Sequence, residues 1–389
     1  MKLSGIRVLD LSCFLPGPYL TLAMADHGAE VIKIEAPGEG DPGRTIGPRD
    51  GTETVFFRNL NRGKKSLVLD LKTEAGRDTL LTLCESADVF VESFRPGVMQ
   101  RLGIDYPTVS ARNPRIVYCS ISAFGQTGPY RDRPAHDLAV EALAGMLSMT
   151  LGADGEPAIP GVPVADLLAG LQGLSGVLMA LLARQTTGVG DYLDISMQDA
   201  SVAGCLNILG PAIADGVQPV VPHQRTTGGS ALYRIYRTQD GKHVALAGQE
   251  PKFVRSLLNE LGRPDLIDLC LRGPGPHQQP VIEFLSQTFL SRPASEWDER
   301  LSRLDLCYAV LKTLPEGLDD ANLLAREMVL ADARGTRHIG PPIRFEREPA
   351  RPDLHAPALD EHRDEILASL RRSHAGGAQA VSGSAKQEP

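Results

Sequence analysis

The sequence predicts an α/β protein in two parts, a larger one built on an open parallel sheet and a smaller one that follows it. Three observations carry this. Short β-rich runs alternate with helix-length apolar stretches early in the chain, the pattern of βαβ units. The alternation lapses over 212–232, rich in Pro, Gly, His and Thr, and restarts beyond it with a hairpin. The 389 residues, 42% of them hydrophobic, suffice for two cores.

The elements follow in order. Ile6 to Leu11 is a β-rich run; the chain turns at Pro16-Gly17-Pro18 and continues as a helix that Gly28 ends. Glu30 to Glu35 (EVIKIE) is the next strand, then Ser66 to Leu71, with a helix over Glu74 to Ser86. DVFVE (88–92) and IVYCS (116–120) repeat the strand signal. Residues 136–150 and 166–186 read as helices, the second apolar enough to be buried. Its Ala169, Gly170, Gly173 and Gly176 let a neighbour approach closely, and packing alone accounts for all but Gly170. Gly188-Val189-Gly190 turns into the strand YLDISM, and a helix starts at Asp199. Residues 1–211 thus form the first part of the large domain and 212–232 a linker. Residues 233–330 form the small domain, opening with YRIYRT, the turn Gln239-Asp240-Gly241 and HVALAG. Residues 331–372 read as extended chain plus one helix. Residues 373–389 lack large apolar groups and are expected to be disordered.

Composition narrows the function. The net charge of −8 and the lack of a basic block argue against nucleic acid as a partner. No run of about 18 apolar residues calls for a membrane span. Six scattered cysteines without a CxxC pair suit a reduced, cytoplasmic protein. The nine histidines show no metal-ligand spacing. Signatures for P-loop phosphoryl transfer, nicotinamide binding and serine hydrolysis are absent, so no metal or redox cofactor is expected.

What remains is a series of phrases: VLDLSCFLPGPYLTLAMADHGAEVIKIEAPGEGDPGR, NLNRGKKSLVLDLK, ADVFVESFRPGVMQRLG, SISAFGQTGP, and the stretch from His136 (HDLAVEALAGML) to Asp166 (PGVPVADLLAG). Together, from residue 4 to about 370, they closely resemble the family III CoA-transferases. That group includes formyl-CoA transferase, carnitine CoA-transferase and α-methylacyl-CoA racemase. The resemblance implies a large doubly wound open-sheet α/β domain, a smaller α+β domain, and a C-terminal segment that returns to the large domain. It also implies an interlocked homodimer and coenzyme A as part of an acyl-CoA substrate.

Coenzyme A needs cations and backbone amides for its phosphates. Arg62, Lys64 and Lys65 in NRGKKS, and Arg95 and Arg101 in SFRPGVMQRLG, supply charge. By motif position Phe94 and Arg101 match residues near CoA, and Pro16 and Gly17 border it. Lys64 and Lys65 read equally well as a solvated strand edge. Where the family often has an adenine-side arginine this chain has Ala36, with Arg44 as a substitute.

Asp166, by itself, reads as a helix N-cap; the resemblance makes it the catalytic aspartate. His136 stands where transferases of the family commonly have Tyr and racemases His. Glu250, before Pro251, resembles the racemase glutamate that contacts that His, although an exposed acid at a helix start reads the same way. His136 and Asp166 as two bases, with Glu250 orienting His136, point to α-proton transfer on a 2-methylacyl-CoA. That chemistry needs backbone donors near Asp166 for the enolate oxygen. The alternative is CoA transfer between carboxylic acids through an Asp166 anhydride and an Asp166–S-CoA thioester. The long loop GEGDPGRTIGPRDGTETVFFRNLNRGKKS favours transfer, and Thr226–Ser230 (TTGGS) reads as a mobile glycine loop or a plain turn.

Overall fold

Residues 1–371 are described by the computed structural model; the tail expected to be disordered, 373–389, lies outside the described residues. The chain packs as two compact units. The first comprises Met1–Ala144, Pro160–Gly204 and the chain from Ala325; the second comprises Gly145–Ile159 and Cys205–Leu324.

The first unit is built on six parallel strands: β1 Arg7–Asp10, β2 Glu30–Glu35, β3 Lys65–Val68, β4 Val89–Glu92, β5 Val117–Ser122 and β6 Tyr192–Ser196. Their order across the sheet is β3-β2-β1-β4-β5-β6. The chain winds outward from β1 in one direction, then returns and winds outward from β4 in the other. β1 and β4 are therefore adjacent although 79 residues separate Asp10 from Val89, and their C-terminal ends open a crevice where the winding reverses.

The helices that accompany these strands include α1 Pro16–Asp26, α2 Val55–Asn61, α3 Glu74–Cys84, α4 Val98–Leu102, α5 Tyr106–Arg112, α6 Asp137–Leu143, α7 Val164–Thr187 and α8 Met197–Gly204. One sheet face is covered by α1 and α7, with Leu20, Val91, Ala169 and Val177 in a common core. The other carries Leu80, Phe90, Val109 and Ile366, the last from a helix over 363–371. Strands buried on both faces explain the near-continuous apolar runs of the sequence. Helix α7 is long and apolar enough to cross a bilayer by length and composition. Here its Ala165, Ala169, Gly173 and Val177 are buried in the core.

Packing of α7 on α1 settles two glycines. A Cβ on Gly170 would lie 2.7 Å from the Pro16 carbonyl oxygen, and one on Gly173 would lie 2.8 Å from Leu20 Cδ1. Gly170 is therefore a close-approach residue like its neighbours, and what it approaches is the turn at the head of α1.

In the second unit β7 Tyr233–Arg237, β8 His243–Ala247 and β9 Tyr308–Val310 form an antiparallel sheet in the order β9-β8-β7. The core beside it holds Tyr236, Val254, Leu285, Phe289 and Trp297. The Thr226–Ser230 segment is a packed turn: Arg234 donates to the Gly228 carbonyl at 2.6 Å, and a Cβ on Gly229 would overlap His223.

Candidate active site

The crevice predicted by the topology is a cleft of 430 Å³. The β1–α1 loop gives it Cys13, Phe14 and Pro16, the β4 loop Phe94 and Arg95, and the segment before α6 Arg131, Arg133 and His136. Asp166 enters from α7. The structure thus brings together Pro16, Phe94, Arg95, His136 and Asp166 from sequence positions up to 150 residues apart.

Asp166 is not a helix cap. The N-cap is Pro163, which has no side chain to serve, and Asp166 lies three residues into α7. Two carboxylates from α6 do the capping instead. Asp137 Oδ1 accepts the Asp166 N–H at 3.0 Å and Glu141 Oε1 accepts the Val164 N–H at 3.1 Å. The Asp166 carboxylate is left half-buried, facing the cleft, without an ion-pair partner among the described residues. Burial, then the like charges of Asp137 and Glu141, push its carboxyl up from 3.8 to about 7. A carboxylate of that basicity is ionised in a useful fraction near neutrality and is a stronger nucleophile than an ordinary aspartate.

This capping has a chemical consequence. The amides at the head of α7 are used internally, so they are not donors for an enolate oxygen. The backbone donors that α-proton transfer requires beside Asp166 are not free there.

His136 is the N-cap residue of α6, is exposed, and caps nothing with its side chain. Its ring meets the edge of Phe14 at 5.9 Å between centroids. Phe14 itself is held at φ +63°, a left-handed conformation that costs a bulky residue energy and persists at sites where placement matters. No hydrogen bond or ion pair links His136 to Asp166, and the imidazole does not contribute to the shift at Asp166. Glu250 belongs to the second unit. It is the exposed N-cap residue of the helix Pro251–Glu260, and its side chain makes no capping bond.

The expected CoA cations divide into two groups. Lys64 is fully buried: it pairs with Asp10 at 3.0 Å and donates to the Pro18 carbonyl and to Thr21. Against the burial that would raise it, Lys64 and Lys33 hold Asp10 well below the usual carboxylate range. Arg62 is buried against Asp26 at 2.7 Å. Lys65 bridges Glu30 and Glu365. Arg44, the substitute for an adenine-side arginine, grips Glu35 through two nitrogens and lies 3.8 Å over the Phe57 ring. Each of the four is held by a carboxylate, Arg62 and Lys64 in the interior, so Lys64 is not a solvated strand edge. The long loop between β2 and β3 delivers them to the strands they brace.

Arg95 and Arg101, by contrast, have no acidic partner among the described residues, and they are joined by Arg131 and Arg133. Arg95 and Arg131 line both the cleft and an adjoining cavity of 320 Å³. A Cβ on Gly97 would meet Arg101 Nη1 at 3.2 Å and Arg131 Nη2 at 3.7 Å, so these two guanidinium groups converge on the turn at Gly97, beside a cavity whose wall also carries Glu92 and Asp105. Gathered, unpaired arginines form an anion site. Arg131, Arg133, Asp137 and Glu141 were not among the residues expected from sequence. The i, i+4 spacing of Asp137 and Glu141 right after His136 was the available signal.

Gly17 binds nothing through a side chain, and its role is spatial. A Cβ there would overlap the Ser12 side chain, so only glycine lets α1 start this close to the end of β1. Glu92, at the end of β4, accepts from the Phe94 N–H at 2.8 Å and from Ser120, and so fixes the loop that carries Phe94 and Arg95. Burial pushes Glu92 up to about 7. Cys13 is pushed up to about 12 by burial and the surrounding carboxylates, so it stays a thiol and is no nucleophile.

The sequence profile of CoA-transferase family III matches residues 3–363. The chain is 34% identical to the acetyl-CoA:oxalate CoA-transferase of Acetobacter aceti, covering 92% of each chain. It is 31% identical to the succinyl-CoA:glutarate CoA-transferase of Mus musculus, over 97% of this chain and 88% of that one. The succinyl-CoA:mesaconate CoA-transferase of Haloarcula hispanica is 34% identical over 94% of this chain and 95% of its own. Among solved structures, a CAIB/BAIF family protein from Brucella suis superposes with a TM-score of 0.82 at 30% identity, covering 95% of this chain and 99% of that one.

Proposed function

On the premise that this chain belongs to CoA-transferase family III, we propose that it moves coenzyme A between short carboxylic acids, with Asp166 as the nucleophile. The observation that carries the proposal is the Asp166 carboxylate, open to the cleft, made basic by burial and like charge, and paired with no cation among the described residues. The relatives' names support transfer over racemisation. The expectation of α-proton transfer by His136 and Asp166 therefore yields to its alternative.

In the proposed sequence the Asp166 carboxylate attacks the thioester carbonyl and CoA thiolate leaves, giving a mixed anhydride. The thiolate then attacks the Asp166 carbonyl of that anhydride. The first acid departs as its carboxylate and an Asp166–S-CoA thioester remains. The acceptor carboxylate repeats the steps in reverse order and Asp166 is regenerated. Arg95, Arg101 and Arg131 suit the phosphates of CoA. Arg133, in the same cleft as Asp166, suits an anionic substrate, and acids with two carboxylates such as those named for the relatives fit that charge. His136 assists rather than initiates, and Glu250 is given no role in transfer. Two copies of the chain pair in this proposal, and the exposed Met179 and Leu182 of α7 give the second copy apolar surface to cover.

Hydroxylamine trapping tests it. With acetyl-, succinyl- and oxalyl-CoA as donors, Asp166 is expected to become a hydroxamate and Asp166→Ala to abolish transfer. His136→Ala should slow transfer without stopping it. Absence of label at Asp166 with every donor, together with α-deuteration of a 2-methylacyl-CoA in D2O, would restore the racemase reading.

A further inference from the structure

Helix α7 is capped in an unusual way. Its own N-cap, Pro163, has no donor or acceptor side chain, and both caps come from one face of α6. Glu141 is completely buried. One of its oxygens takes the Val164 N–H, while the other, Oε2, is buried with no donor. One turn away on the same helix stands a second carboxyl group, Asp137, which takes the Asp166 N–H; burial, then this neighbour, push the Glu141 carboxyl above its usual range. Two carboxylates one turn apart that cap the same helix head, one of them sealed from water, repel each other when both are ionised. A proton on Glu141 Oε2, donated to Asp137, satisfies the orphan oxygen and removes the repulsion.

We infer that Asp137 and Glu141 share one proton and act as a double cap of single negative charge, a pair of positioning residues that fixes the head of α7 beside Asp166. The two functions are separable. The caps need only acceptor oxygens, which Asn and Gln also offer. The charge needs one carboxylate of the pair, and either suffices. Other charged groups facing Asp166 across the cleft are Arg95, Arg131, Arg133 and, when protonated, His136. All of these would lower the basicity of Asp166; burial first, and then the pair, oppose them. Asp199, in the first turn of the neighbouring α8, adds nothing to the shift.

The inference rests on the transfer reading, in which a basic Asp166 is the nucleophile, but it can be tested without turnover. Carbodiimide reacts with protonated carboxyl groups. Its labelling of Asp166 in the resting enzyme, followed by peptide mass spectrometry from pH 5 to 9, reports the Asp166 midpoint directly. Asp137→Asn and Glu141→Gln are each expected to leave the midpoint within about 0.3 units, because one negative charge remains in each. The double variant should lower it by about one unit, as expected for removing a single nearby charge at a partly screened site. All three should keep the circular dichroism of the parent, since both caps persist. Equal shifts in the two single variants, adding in the double, would mean two independent charges and overturn the shared proton. An unmoved midpoint in the double variant would overturn the electrostatic role altogether. Neither outcome depends on whether the enzyme transfers CoA, which hydroxylamine trapping decides separately.

Discussion

Replacing Asp166 with Asn should make the protein more stable while abolishing its activity, and the gain should grow with pH. The carboxyl is raised from 3.8 to about 7 in the folded chain, first by burial and then by Asp137 and Glu141. Below pH 3.8 both folded and unfolded forms hold the proton, and the residue costs nothing. Between 3.8 and 7 the unfolded chain releases the proton and the folded chain keeps it, so stability falls as pH rises. Above 7 the cost is complete. A shift of about three units corresponds to about 4 kcal/mol. Asp166 is half-buried and partly screened, which reduces this to about 2 kcal/mol. Asn keeps the size of the side chain and leaves the Asp166 N–H bond to Asp137 intact, so the charge alone is removed. At roughly 2 °C per kcal/mol for a chain of this size, Asn should raise the melting temperature by about 4 °C at pH 8. At pH 4.5 the gain should be about 1 °C or less. Thermal unfolding of both proteins across that range measures it. A gain that does not change with pH, or a loss at pH 8, would refute the reasoning, because it would mean that Asp166 is not strained by its charge. Storing destabilisation in a reactive group is the usual trade between stability and function.

Other expected outcomes follow from the same geometry. Gly17→Ala forces a Cβ into Ser12 and should cost about 1–3 kcal/mol by overpacking, while raising the KM for acyl-CoA as the first turn of α1 shifts. Lys64→Met strands the buried Asp10 and should cost about 3–5 kcal/mol in urea denaturation. The folded fraction should bind CoA as the parent does, because Lys64 faces inward. Arg101→Ala should do the opposite, leaving denaturation unchanged and weakening CoA about tenfold by calorimetry, through loss of one charge-assisted contact. Gly170→Ala, 2.7 Å from the Pro16 carbonyl, should separate α7 from α1 and lower kcat together with melting temperature.

Much of the fold was legible in the sequence because burial leaves a periodic trace. The strand Glu30–Glu35 appears where EVIKIE was read, and the βαβ alternation became six parallel strands. Apolar runs reveal strands covered on both faces wherever they lie in the chain. Asp166 was also legible, though only through the motifs around it; alone it resembled a cap, and the actual caps sit on another helix.

Local patterns and motifs were enough for the order of strands and helices and for the family, and they singled out Asp166 for the proposed chemistry. Only the tertiary structure decided which charges are available. NRGKKS and SFRPGVMQRLG both looked like phosphate ligands, yet Lys64 pairs with Asp10 across 54 residues of chain and Arg62 with Asp26 across 36, while Arg95 and Arg101 pair with no acid among the described residues. The same holds for Asp137 and Glu141, whose partner amides lie 29 and 23 residues on. The physical reason is that burial of apolar side chains is set locally, by the face a residue occupies in its own element. Electrostatic pairing is set by distance in space, which folding alone supplies.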